Sequence, residues 1–210
     1  MTKKLVIVGA SGHGKVIADI AEQLGFSIFF YDDAYPNKKH IEQWPIHGSC
    51  NDLISSKNTG IAFSDDVVIA IGDNNIRQRK ALFLQENGFS LISLIHSKAI
   101  VSQYAKIAPG TVVFAGAIIN AFAKIGAGCI INTSAIIEHD CVIADFAHIC
   151  PNVALAGGVY IGSKSWIGIG SQVRQSITIG DNCMIGAGST VVKNLPNNTT
   201  AFGSPAVSKI

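Results

Sequence analysis

From Ile95 to Val191 every sixth residue is Ile, Val or Leu, seventeen positions in a row. Neither the 3.6-residue helix repeat nor the two-residue alternation of a hairpin sheet generates a period of six. A triangular coil does. Each hexad forms one short flat face with its aliphatic residue pointing inward, and three hexads complete a turn of 18 residues. The position four later is mostly small: Ala99, Ala105, Thr111, Ala117, Ala123, Cys129, Ala135, Cys141 and Ala147, then Ser165, Ser171, Cys183 and Ser189. It reads as a cramped inward slot at the corner. Gly126, Gly162, Gly168, Gly180 and Gly186 directly follow the inward residue, where tight turns are expected.

Ahead of the repeat the pattern differs. Leu5 to Val8 reads as a buried strand, GASGHGK (Gly9 to Lys15) as a turn, and Val16 to Leu24 as a helix with an apolar face. Ser27 to Tyr31 supplies a second strand ending at Asp32 and Asp33. Val67 to Ile71 supplies a third, closed by Gly72, Asp73 and Asn74, before a helix over Asn75 to Gln85. Strand, glycine turn, helix, strand and terminal acid make the first half of a nucleotide-binding α/β unit, whose helix-start N–H groups cradle phosphate. His13 and Lys15 beside the turn favour that use. The dinucleotide fingerprint needs Gly where Ser11 stands, and the unit is short, so a mononucleotide or nucleotide-sugar is the better ligand.

Charge sharpens the division. Residues 1 to 92 hold 19 charged side chains, whereas the longer stretch 93 to 195 holds 10. The expected domains are a Rossmann-like α/β domain over 1–92 and an all-β triangular coil with a C-terminal tail over 93–210. Sixteen basic against fourteen acidic residues exclude a general nucleic-acid binder. The uncharged run from Ile107 to Ala123 contains Pro109 and Asn120 and is explained by the hexads, so no membrane insertion is expected. The opening MTKKLVIVGASGHG is too polar for a signal peptide, which implies a cytoplasmic protein. Five cysteines without a CxxC pair give neither a disulfide framework nor a metal site.

Outside the first domain, proton chemistry is concentrated in Glu138, His139, Asp140 and His148. His139 lies two residues after the inward Ile137 and His148 one before Ile149, so both point outward, on different faces. A histidine titrates near neutral pH, and an adjacent carboxylate fixes its tautomer. Glu138 and Asp140 both compete for that role. The weakly charged walls, bearing Phe114, Phe122, Tyr160 and Trp166, fit faces covered by sister subunits. In a threefold homotrimer, clefts between subunits gather groups that one chain keeps apart.

The hexads resemble the hexapeptide-repeat, left-handed parallel β-helix family. Taken with GASGHG, IAIGDNNIR (Ile69 to Arg77), LIH (Leu94 to His96) and NTSAIIEHDCVI (Asn132 to Ile143), the chain resembles the amino-sugar and sialic-acid acetyltransferases of surface-glycan pathways. Nearest are those that acetylate the 4-amino group of a UDP-linked 4-amino-4,6-dideoxy sugar, as in bacillosamine synthesis. The resemblance implies an acetyl-CoA-dependent homotrimer with His139 as general base and Asp140 orienting it, where the family carries Glu. It further implies that His148 holds the acetyl carbonyl and that Asn132 lies near the reacting amine. Acetyl-CoA would run over Gly157, Ile169 and Ala187, with its adenine end near Pro205. The UDP-sugar would lie over Ser11, Gly12, His13, Gly14 and Lys15, with Asp32 and Asp33 near the uracil and Gly72 and Asn74 at the neighbouring strand end. Two other readings stay open: a sialic acid O-acetyltransferase, and a trimeric sugar-binding protein without catalysis.

Overall fold

The computed structural model describes residues 3–60 and 62–208 and divides into two compact units, 1–94 and 95–210. The first contains β1 (Lys3–Val8), α1 (Gly12–Gln23), β2 (Phe26–Tyr31), a small hairpin of β3 (His40–Ile41) and β4 (Trp44–Pro45), α2 (Cys50–Asn58), β5 (Asp66–Ile69), α3 (Asn74–Glu86) and β6 (Ser90–Leu91). The sheet order is β2-β1-β5-β6, all parallel. Central position explains why Leu5, Val6, Ile7 and Val8 form an unbroken apolar run: strands covered on both faces do not alternate. Ile17 and Ile20 of α1 and Leu84 of α3 complete this core. Because the chain leaves β1 toward β2 on one side and meets β5 on the other, the crevice beyond the carboxyl ends of β1 and β5 is a topological switch point.

The second unit is a parallel β-solenoid. Its two-residue strands stack at intervals of 18 residues into sheets of six, six and five, the first extended by Thr200–Phe202 and by the antiparallel Val207–Ser208. Ile119 pairs with Ile137, Ile125 with Ile143 and Ile131 with Ile149. From Val113 to Val191 the hexad aliphatics are at most 3% exposed and form one continuous core. The first coil is open, with Ile95 at 37% exposure. The corner slot is as cramped as its composition implies, and its polar members are bonded across coils. Ser165 Oγ donates to Gly180 O (2.6 Å) and accepts from Cys183 N (2.9 Å), while the Cys129 and Cys141 thiols face Ala144 O (3.1 Å) and Ala156 O (3.2 Å). A buried hydroxyl or thiol is tolerated there because the next coil presents a carbonyl at the same point. Among the described residues no helix is long and apolar enough to cross a membrane. The uncharged run 107–123 is solenoid wall.

The turn glycines differ from the expectation. Left-handed backbone recurs three residues after the inward position, at Gly116, Phe122, Gly128, Ser134, Asp140 and Phe146, and not at the glycines that follow the inward residue directly. Those glycines answer to close approach. A Cβ on Gly162 would sit 2.5 Å from the Asp181 nitrogen, and one on Gly168 would sit 2.5 Å from the Ile185 oxygen. The backbone of the next coil fills the space.

This contrast is measurable. Gly162→Ala forces one coil off another and is expected to lower stability by about 1–3 kcal/mol. Gly12, outside the left-handed region and with nothing within 4 Å of a Cβ, should accept Ala without loss of stability. Thermal melting of the two variants checks both; equal melting points would refute the packing argument.

Candidate active site

His139 and Asp140 follow the inward Ile137 at a corner of the solenoid. Asp140 adopts the left-handed conformation (φ 61°), which Asp tolerates better than most residues, and from there its Oδ2 lies 2.8 Å from His139 Nδ1. The carboxylate accepts the Nδ1 proton and leaves Nε2 with its lone pair outward. Asp140, although shorter than a Glu, therefore reaches the ring. The His139 side chain is 64% exposed. One coil on, Gly157 lies directly against the ring: a Cβ there would be 2.6 Å from His139 Cε1 and Nε2.

His148 also points outward, on a different face, but is only 5% exposed. Its ring centroid is 4.2 Å from that of Trp166, its neighbour one coil on. Its Nε2 lies 3.0 Å from Asn132 Nδ2. Thr133 N donates to Asn132 Oδ1 (2.8 Å), which turns the amide nitrogen toward His148, so Nε2 accepts and Nδ1 carries the proton. Asn132, His148 and Trp166 line a groove of about 360 Å³ with Ile169, Met184 and Ala187. The groove is mostly apolar, and its aromatic wall was legible only as surface. Gly157 and Pro205 are not among its lining residues.

In the first unit, Ser11, Asp32, Asp33 and Gly72 line a second cavity of about 190 Å³ at the switch point, together with Cys50, Ile76 and Lys80. Asp32 is occupied by main chain: its carboxylate accepts from Ala10 N (2.6 Å) and Ala34 N (2.8 Å). Asp33 accepts from Cys50 N (3.0 Å) and pairs with Lys80, a residue the sequence reading missed because it lies 47 positions away. Burial pushes the Asp33 carboxyl up, but Lys80 and the Cys50 N–H outweigh it and hold the group below the ordinary range. Burial lifts the Cys50 thiol to about 11. Lys15 does not reach over the turn; it pairs with Glu42 of the hairpin. Asn74 lies behind the cavity, holding the buried Arg77 guanidinium (Oδ1 to Nη2 2.8 Å), which also donates to Ile71 O (3.0 Å) and Gly72 O (2.9 Å). Burial, with Arg77 adding, lowers His13 to about 4, so this ring is neutral at physiological pH.

The helix starts are not alike. α2 is closed by a capping box of Ser49 and Asp52, and α3 by Asp73 accepting from Ile76 N (2.8 Å). The Ser11 side chain makes no cap on α1. Among the chain's 21 glycines, Gly12 and Gly72 alone have neither left-handed backbone nor an atom in the way of a Cβ. Among the described residues no group of three His, Cys, Asp or Glu is placed to hold a metal.

Residues 4–82 match the model of the PglD N-terminal domain, and residues 158–193 match the bacterial transferase hexapeptide (six repeats). The chain is 38% identical over 117 residues to UDP-N-acetylbacillosamine N-acetyltransferase of Bacillus subtilis. That match takes in 54% of this chain and 52% of the relative, so the chain spans about half the length of that curated protein. Among solved structures it is similar to a histidine-to-asparagine variant of perosamine N-acetyltransferase from Caulobacter crescentus, in complex with CoA and GDP-perosamine. There the TM-score is 0.92 at 35% identity, over 98% of this chain and 96% of that one. It is equally similar to the acetyltransferase domain of PglB from Neisseria gonorrhoeae in complex with acetyl coenzyme A (TM-score 0.91, 36% identity, 100% of both chains). The chain belongs to the family of hexapeptide-repeat sugar acetyltransferases that carry a PglD-type N-terminal domain.

Proposed function

We propose that the protein transfers the acetyl group of acetyl-CoA to the 4-amino group of a UDP-linked 4-amino-4,6-dideoxy-N-acetyl sugar, in surface-glycan biosynthesis. The observation that carries this reading is the His139–Asp140 pair, 2.8 Å apart, in a chain whose relatives bind CoA and a nucleotide-linked amino sugar. With Nδ1–H held by Asp140, His139 Nε2 takes a proton from the sugar amine as its nitrogen bonds to the thioester carbonyl carbon. The tetrahedral adduct then expels the CoA sulfur, which recovers that proton. Direct attack is favoured over an acyl-enzyme. Burial raises the Cys141 thiol above its usual range and the Cys150 thiol at the groove to about 12, so neither supplies a thiolate.

The apolar groove beside Trp166, Ile169, Met184 and Ala187 suits the pantetheine arm, with His148 and Asn132 toward the acetyl end. Pro205 remains the candidate for the adenine end. The uncapped start of α1 offers its N–H groups to the pyrophosphate, and bare Gly12 leaves room for it. Asp33 and Lys80 face the base.

Turnover of acetyl-CoA with a panel of UDP-, GDP- and dTDP-linked 4-amino sugars, and with CMP-linked and free sialic acid, tests the reading. Acetylation of sialic acid alone, or of nothing, would overturn it. His139→Ala is expected to lower kcat by about 10² to 10⁴ with acceptor affinity nearly unchanged, and Asp140→Ala to cost less; steady-state kinetics with acceptor binding by calorimetry check this. Gly12→Leu should raise the acceptor KM while the acetyl-CoA Kd, measured without acceptor, stays put; equal weakening of both would place a coenzyme nucleotide in the first unit. Because His139 and His148 lie on different faces of one prism, the complete cleft is expected only in a homotrimer. A fully active monomer in light scattering would refute that.

A further inference from the structure

We infer that Gly157 is a positioning residue for His139, its missing side chain setting where the imidazole rests. The inference builds on the reading of His139 as the base. Gly157 has no left-handed backbone to explain it, and the three atoms nearest a Cβ there are all in one ring: His139 Cε1 and Nε2 at 2.6 Å and Cδ2 at 3.3 Å. Gly162 and Gly168, one hexad position earlier, are instead blocked by the backbone of the next coil. So the constraint at 157 comes from a side chain that the solenoid itself does not need.

The backbone beneath the ring cannot yield. Gly158 N donates to the carbonyl of His139 itself (2.9 Å), and Ser176 N donates to Gly157 O (3.0 Å), which fixes the segment to the coil on either side. The ring can yield, being the exposed end of a two-torsion side chain. A methyl group at 157 therefore drives the imidazole aside and leaves the ladder intact. Moving the ring breaks the alignment with Asp140 and moves Nε2 away from the amine, and a shift of about 1 Å in a reacting group costs on the order of 10²-fold.

The test is Gly157→Ala, alone and combined with His139→Ala, in the full-length protein. The single variant is expected to melt like wild type, to bind CoA and acceptor within about twofold of wild type, and to lose about 10- to 100-fold in kcat. In the His139→Ala background it should cause no further loss, as for two residues acting through one group. Imidazole NMR of the single variant should show the Nδ1 proton of His139 no longer held by Asp140. Three results would overturn the inference: wild-type kcat in Gly157→Ala, a loss of the same size in the His139→Ala background, or a CoA Kd that weakens in step with kcat, which would assign the glycine to the coenzyme. If His139→Ala itself keeps wild-type kcat, the base reading falls and this inference with it; an inactive His139→Ala beside a normal Gly157→Ala removes this inference alone.

Discussion

The 18-residue register of the coil is the constraint on which the second unit depends. Strand N–H groups donate to carbonyls one coil on, so Val142 N meets Val159 O and His148 N meets Ser165 O, and slippage would turn the inward aliphatics outward. The register also decides which side chains can cooperate. His139 rests on Gly157, His148 faces Trp166, and Thr111 Oγ1 accepts from Cys129 N, each pair separated by one turn. A side chain here answers to the residue 18 positions on more than to its sequence neighbours. Asp140 beside His139 is one exception, made available by the left-handed corner.

That rule explains what the sequence disclosed about the solenoid. Period six sorted inward from outward correctly, because core burial leaves the aliphatics no other face: Ile137 and Ile149 are fully buried, and both histidines point away from them. It could not rank the histidines. His139 is open and His148 is covered, and the cover is an aromatic ring one coil on together with an amide 16 residues back. The turn glycines were misread for a related reason. Glycine serves both unusual torsion and tight approach, and a linear pattern does not separate them. The torsional positions hold Phe122, Phe146 and Lys164, which no glycine search would find.

In the first unit, strand, turn and helix were legible from local chemistry, and the partners of the polar residues were not. Asp32 reads as a ligand-facing acid, yet both its oxygens hold main chain; Asp33 keeps the cavity side but shares it with Lys80. Lys15 turns to Glu42 across the hairpin. Ion pairs between distant segments carry no periodicity, so a single sequence does not announce them. Arg77 is the clearest case. Its polar side chain is 2% exposed, and its guanidinium pins the turn at Ile71 and Gly72.

Glycine supplies the last link between fold and chemistry. A glycine exacts conformational entropy, so its presence asks for a cause, and the backbone or the next coil supplies one nearly everywhere along this chain. Gly12 and Gly72 have no such cause within the protein. They stand beyond the carboxyl ends of β1 and β5, where an α/β sheet binds its ligands. Gly157 has a cause, but it is the ring of a histidine that the solenoid can do without. Where folding demands no glycine and one is present, the demand comes from what must pass close to the backbone, and for these positions we propose the nucleotide-sugar at Gly12 and Gly72 and the His139 ring at Gly157.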